Sequence, residues 1–232
     1  MVKSPFSSPK RGSRIAEADS VVVIGLGRFG TSLALELMAA GTEVLGIDSD
    51  EDIVQSLNGQ LTHVVRLDST NEEALRQLAV NEFDRAVVSI GSDIQASILT
   101  TSLLMRFEIP DIWAKAVSDA HGRIFEQLGV QHVVYPEKDM GRRVAHLVRG
   151  AALDYIEIDR DFAILKMSPN SLVLGIPLGE SHIRARYGVT VLAYKRESSA
   201  WQNADLSTVL QVGDTMLVSG PIIKAEAFGQ LR

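Results

Sequence analysis

The chain has 232 residues, no cysteine, 22% charged residues and a formal net charge of −6. The missing cysteine excludes disulfide scaffolds, thiolate metal sites, iron–sulfur clusters and thiol nucleophiles, and the acidic balance argues against nucleic acid as the main partner. The hydrophobic fraction of 46% is that of an ordinary packed protein. The longest candidate span, Ile94 to Met105, is too short to cross a bilayer, so a soluble protein is expected.

Residues 1–19, MVKSPFSSPKRGSRIAEAD, are rich in Ser, Pro, Lys and Arg without apolar period. They read as a flexible basic tail, and the lack of an apolar stretch after the basic residues speaks against a secretory signal. From Ser20 onward, β-branched runs alternate with segments of helical period. VVVIG (21–25), EVLGI (43–47), THVV (62–65), RAVVSI (85–90), DIWAKAV (111–117) and QHVVY (131–135) are the expected strands. The expected helices are 31–40, 51–57, 72–78, 94–107 and 120–128, several ending on turn residues such as Gly41, Asn58-Gly59 and Gly129. Near-continuous Val/Ile strands separated by helices imply a parallel sheet covered on both faces, an α/β doubly wound Rossmann domain over 20–135.

Helix 136–150 is expected to bridge to a second, smaller α+β C-terminal domain, residues 151–232. There, 153–158 and 162–167 alternate as strands around the tight connection 159–161. A Pro/Gly-rich passage follows, then strands at 189–195 and 215–220, a loop at 198–203 and a last helix after Pro221.

Gly25-Leu26-Gly27-Arg28-Phe29-Gly30 is a G-x-G-x-x-G element that follows a strand and opens a helix. Asp48 closes the next strand, 18 residues after Gly30. That context is the dinucleotide-fold fingerprint. Gly25 allows the tight turn, Gly27 lets backbone amides approach phosphate, and Gly30 permits close helix–strand packing. Asp48 would accept ribose hydroxyls and repel a 2′-phosphate. Arg28 either stands solvated on the first turn or reaches a terminal phosphate, which favours ATP or ADP over NAD. Phe29 is counted with the same nucleotide site. Asp68-Ser69-Thr70 either forms capping boxes with Glu72 and Glu73 or faces a base across the sheet crevice. Ile90-Gly91 leaves the fourth strand where a backbone could approach ribose or phosphate. Lys115, in an otherwise apolar strand, either caps an edge or points into the crevice. One acidic ribose ligand serves ATP, ADP and NAD(H) alike.

Together, VIGLGRFG (23–30), SIGSDIQASILTTSLL (89–104), IPDIWAKA (109–116), YPEKDMG (135–141) and RARYGVTVLAYKR (184–196) resemble the KtrA/TrkA-type cytosolic regulatory subunits of bacterial potassium uptake systems. These are built from an RCK domain (regulator of potassium conductance). The resemblance spans about Ser20 to Phe228 and favours the single-repeat type. It implies a non-enzymatic, cytoplasmic protein held at the inner face of the plasma membrane by an integral potassium-translocating subunit. It further implies homodimers assembling into an octameric ring that ATP and ADP bias towards different shapes. Gly25, Gly27 and Asp48 then match phosphate- and ribose-binding positions, and Arg28 the arginine reaching the terminal phosphate. Asp68, Ile90, Gly91 and Lys115 match nucleotide-contacting positions. Glu137 matches a carboxylate that helps hold a divalent cation, Mg or Ca, and Ile183, Arg184 and Tyr187 lie near a cyclic di-AMP site of related members. RLDST (66–70) departs from the pattern by lacking a glycine before the acidic residue.

The competing class is a small NAD-dependent oxidoreductase, which needs a positioned acid–base group beside the nicotinamide. His63, His121, His132, His146 and His182 stand in no sequence motif with a carboxylate orienter. A DNA-binding regulator would need a groove-reading helix pair, and the tail's basic residues supply only non-specific attraction.

Overall fold

Val22 and Ile24 point to one side of their strand, Val21 and Val23 to the other, and all four are buried. A strand apolar on both sides can be stable only inside a sheet layered between helices. The computed structural model of the chain, which describes residues 20–150 and 152–231, contains that arrangement; the expected tail 1–19 lies outside the described residues. Strands β1 (Ser20–Ile24), β2 (Glu43–Asp48), β3 (His63–Arg66), β4 (Arg85–Val88), β5 (Asp111–Lys115) and β6 (His132–Val134) form one sheet in the order β3-β2-β1-β4-β5-β6. Every pairing is parallel. The chain reverses its direction of sheet growth between β1 and β4, which opens a crevice at their carboxyl ends.

The helices between these strands are α1 (Arg28–Ala39), α2 (Glu51–Leu57), α3 (Glu72–Gln77), α4 (Ile94–Arg106) and α5 (Asp119–Leu128). On one face, Val22, Ile24, Leu45, Ile47, Val88 and Ile112 pack with Leu75 of α3, Leu104 of α4 and Phe125 of α5. On the other, Val21, Val23, Val44 and Val87 pack with Ala34 of α1 and Leu57 of α2. Full burial of each such large side chain contributes roughly 1.5–3 kcal/mol, so the two apolar layers hold the crevice loops in register.

The chain divides into two compact units after Glu137. Helix α6 (Pro136–Val148) carries the chain across that division. The second unit is an antiparallel sheet, order β10-β9-β11-β8-β7, made from β7 (Asp154–Asp159), β8 (Phe162–Met167), β9 (Thr190–Lys195), β10 (Gln202–Asn203) and β11 (Thr215–Pro221). Its core gathers Tyr155, Leu165, Met216, Val218 and Phe228. The Pro/Gly-rich passage holds two short helices that periodicity does not reveal, α7 (Leu178–Ser181) and α8 (Ile183–Tyr187). They are too short for an apolar stripe to repeat. The expected loop 198–203 ends in β10, a two-residue strand whose pairing with Tyr194 and Ala193 is a tertiary feature. The last helix, α9 (Ile222–Gly229), follows Pro221.

Candidate functional site: the crevice between the first and fourth strands

Asp50, Asn71, Asp93 and Ser118 cap α2, α3, α4 and α5 with their side chains. Helix α1 differs. Its N-cap is Gly27, no side chain caps it, and its first turn carries no acidic residue. The amides at that end are therefore free to face an anion, where the helix dipole also favours negative charge. A Cβ built at Gly27 would meet nothing within 4 Å, so open space lies directly over these amides.

The other two glycines are closed in. Gly25 has φ +91°, and a Cβ there would stand 2.8 Å from the Ile90 backbone nitrogen. A Cβ at Gly30 would run into the Gly25 carbonyl and the Ser89 hydroxyl. Ser89 Oγ donates to the Gly25 carbonyl and, at 3.2 Å, to that of Ile24, tying the exit of β4 to the phosphate loop. Thr31 Oγ1 donates to the Leu26 carbonyl at 2.6 Å. Neither Ser89 nor Thr31 stands out in the sequence. A hydroxyl residue just beyond an apolar strand, or in the first turn after the glycines, is the signal that could have found them.

Asp48 ends β2 beside this loop. Its Oδ2 accepts the Leu26 N–H at 2.5 Å and its Oδ1 the Asp50 N–H at 2.9 Å. The acidic fingerprint residue thus shapes the loop as well as facing the crevice, and a ribose hydroxyl would share oxygens already holding backbone.

Lys115 ends β5, which lies between β4 and β6 and so is no edge strand. Its side chain is directed into the crevice. The ammonium is 5.7 Å from the Phe29 ring centroid, and a Cβ at Gly91 would stand 3.3 Å from it. Lys115 Nζ pairs with Glu137 Oε1 at 2.6 Å. That bond, with the charges of Lys115 and the exposed Arg28, holds the Glu137 carboxyl below its ordinary range. Phe29, Arg28, Gly91, Lys115 and Glu137 therefore converge from two strand exits and two helix starts. Ile90 lines the turn beside Gly25.

Asp68 and Ser69 are placed differently from each other. Asp68 is exposed, and its Oδ1 accepts the Thr70 hydroxyl at 2.7 Å and the Thr70 N–H at 2.9 Å, which lower its pKa. Ser69 is buried, with its hydroxyl 2.7 Å from Thr100 Oγ1 on α4. Of the two alternatives for this segment, the capping boxes from Ser69 and Thr70 do not form. Asn71 caps α3 instead, accepting the Ala74 N–H at 3.1 Å, because it is Asn71 that stands in extended geometry directly before the first helical residue.

Among the described residues, no group of three or more His, Asp and Glu side chains is gathered to hold a metal ion. Glu137 is a single carboxylate facing a lysine. In the second unit, Ile183 is buried in the core and Tyr187 packs edge-on to Phe228 at 5.7 Å between ring centroids. Only Arg184 of that trio is exposed, its Nε donating to Thr190 Oγ1 at 3.1 Å.

His132 and His146 meet carboxylates that no sequence motif records. His132 Nε2 is 3.1 Å from Asp111 Oδ1, and His146 Nδ1 contacts Glu226 Oε1. Tertiary pairing brings each couple together across 21 and 80 residues, so no local motif records them. His132 and Asp111 begin β6 and β5, at the sheet end opposite the crevice, and His146 with Glu226 lies in the second unit. Neither pair is beside the phosphate loop.

Among the described residues, no helix is long and apolar enough to cross a membrane. The TrkA-N domain family matches residues 21–136 and the TrkA-C domain family residues 162–230. Ktr system potassium uptake protein C of Bacillus subtilis (strain 168) is 37% identical over 207 residues, 89% of this chain and 94% of that protein. Ktr system potassium uptake protein A of the same organism is 34% identical over 199 residues, 85% of this chain and 90% of that protein. Among solved structures, the GsuK channel bound to NAD superposes with a TM-score of 0.64 at 17% identity. That match covers 97% of this chain but 40% of the channel chain, and it establishes a shared fold. With a Rossmann unit followed by a small antiparallel unit, and these relatives along nearly its whole length, the chain belongs to the Ktr/TrkA family of potassium uptake proteins.

Proposed function

We propose that this protein is a cytoplasmic regulatory subunit that senses an adenine nucleotide and sets the activity of a separate potassium-translocating membrane subunit. The observation that carries the reading is the uncapped start of α1 under the open face of Gly27, with Asp48 on one side and Arg28 and Lys115 on the other. Ribose needs an acceptor, a diphosphate needs amides, and a further phosphate needs cations; each has a match in the crevice. The Ktr relatives supply the potassium-uptake context.

The role is regulation rather than turnover. Among the described residues, the His132–Asp111 and His146–Glu226 pairs, the arrangements that most resemble an acid–base couple, lie away from the phosphate loop. ATP and ADP would be told apart by Arg28, and the two ligands would act by their differential affinity for two packings of a ring. Exposed Met140, Val144 and Val148, spaced by four along α6, give an apolar stripe suited to burial between copies in a homodimer and an octameric ring. A divalent cation, Mg or Ca, would use Glu137 only with further ligands from the nucleotide or a second copy. Cyclic di-AMP, if the second unit takes it, would meet Arg184, the exposed member of the Ile183, Arg184 and Tyr187 trio. NAD(H) is the second reading for the crevice, favoured by the shared fold of the NAD-bound GsuK channel.

Native mass spectrometry of the purified chain, with calorimetry against ATP, ADP and NADH, tests the proposal. A ring that carries adenine nucleotide and distinguishes ATP from ADP supports it. A protein that ignores all three, or that oxidises a metabolite with NAD, overturns it.

A further inference from the structure

We infer that Glu137 is an internal stand-in for ligand phosphate, holding Lys115 until a nucleotide takes its place. This rests on the nucleotide reading of the crevice. Lys115 is 8% exposed, and a buried ammonium needs a compensating charge. Glu137 Oε1, 2.6 Å away, supplies it.

The two partners are not equally fixed. Lys115 is anchored on an interior strand, whereas the Glu137 side chain is 66% exposed and can return to water at little cost. When an anion enters between Gly91 and Lys115, Glu137 is therefore the group that leaves. Its departure has a mechanical consequence. Glu137 is the second residue of α6, and α6 runs on into the second unit. Exchange of a carboxylate for a phosphate on Lys115 thus couples occupancy of the crevice to the first turn of the connecting helix. The pair also gives bare nucleotide an opponent: each phosphate that reaches Lys115 must displace a resident anion.

The test is calorimetry of the full chain with ATP in EDTA, where no divalent cation can recruit Glu137. Glu137→Gln should bind ATP about threefold to tenfold more tightly than wild type, because the competitor has lost its charge. Lys115→Met should bind more weakly, and Lys115→Met/Glu137→Gln should match Lys115→Met alone, since the competitor matters only through the lysine. Glu137→Gln keeps an amide oxygen that can accept from the lysine, and circular dichroism and a thermal melt of each variant check that it is folded at the titration temperature. If wild type binds ATP but Glu137→Gln binds no more tightly, or Glu137→Gln still gains affinity without Lys115, the stand-in role is wrong while the nucleotide reading survives. If wild type takes neither ATP, ADP nor NADH, both fall.

Discussion

The Asp48 carboxylate receives the backbone N–H of Leu26 at 2.5 Å, across 22 residues of chain, and so fixes the phosphate loop to the end of the second strand. Leu26 is fully buried, and its amide would have no other partner if this bond were lost. Asp48→Ala should therefore lower stability by about 1–3 kcal/mol, the cost of an orphaned buried donor. It should also abolish binding of ATP and ADP together. Urea denaturation and calorimetry on the same variant separate the two effects; a loss of affinity at unchanged stability would mean that Asp48 serves the ligand alone.

The glycines of the loop should respond in opposite ways. Gly27 has φ −63° and open space where a Cβ would go, so Gly27→Ala should stay within about 1 kcal/mol of wild-type stability. Nucleotide affinity should nonetheless fall at least about tenfold, because the methyl occupies the approach to the α1 amides. Gly30→Ala should be destabilised by about 3 kcal/mol or more, since its methyl meets the Gly25 carbonyl. Thermal melts and ligand titrations of the two variants side by side check this division.

Arg28 is exposed at the start of α1, close enough to Glu137 to depress its pKa. Arg28→Ala should leave the melting temperature and ADP affinity close to wild type. The difference between ATP and ADP should shrink by about 1–3 kcal/mol, as for loss of a charge-assisted contact to one phosphate. Competition titrations read this directly, and an unchanged difference would assign the discrimination elsewhere.

His121 should make the first unit sensitive to mild acid. Its Nδ1 accepts the Val117 N–H at 3.4 Å, and burial, with Nε2 lacking a partner, lowers its pKa below the ordinary imidazole value. The folded state therefore resists a proton that the unfolded chain accepts. Stability is fully present above the ordinary imidazole value and is lost as pH falls from there towards the depressed folded value. His121→Phe should flatten the stability profile across that window, as measured by urea denaturation at stepped pH.

Much of the first unit was legible along the chain. The six Val/Ile runs and the glycines at the first turn carry their meaning in residues close together, because strand alternation, helical period and left-handed turns are local constraints. The second unit was legible in its long strands but not in α7, α8 or β10, whose few residues show no period. Within the site, the crevice position of Lys115 was one of two open alternatives, and only the burial of β5 between two neighbours chose between them.

By itself, the sequence determined a doubly wound sheet, a phosphate-binding turn, an acidic partner on the second strand and kinship with potassium uptake proteins. Tertiary structure alone decided that Asp48 holds the Leu26 amide, that Ser69 turns to Thr100, that Ile183 enters the core, and that Lys115 meets Glu137. The reason is physical. Periodicity and turn chemistry act within one element, whereas the partner of a hydroxyl or a charge is set by which elements the sheet order brings side by side.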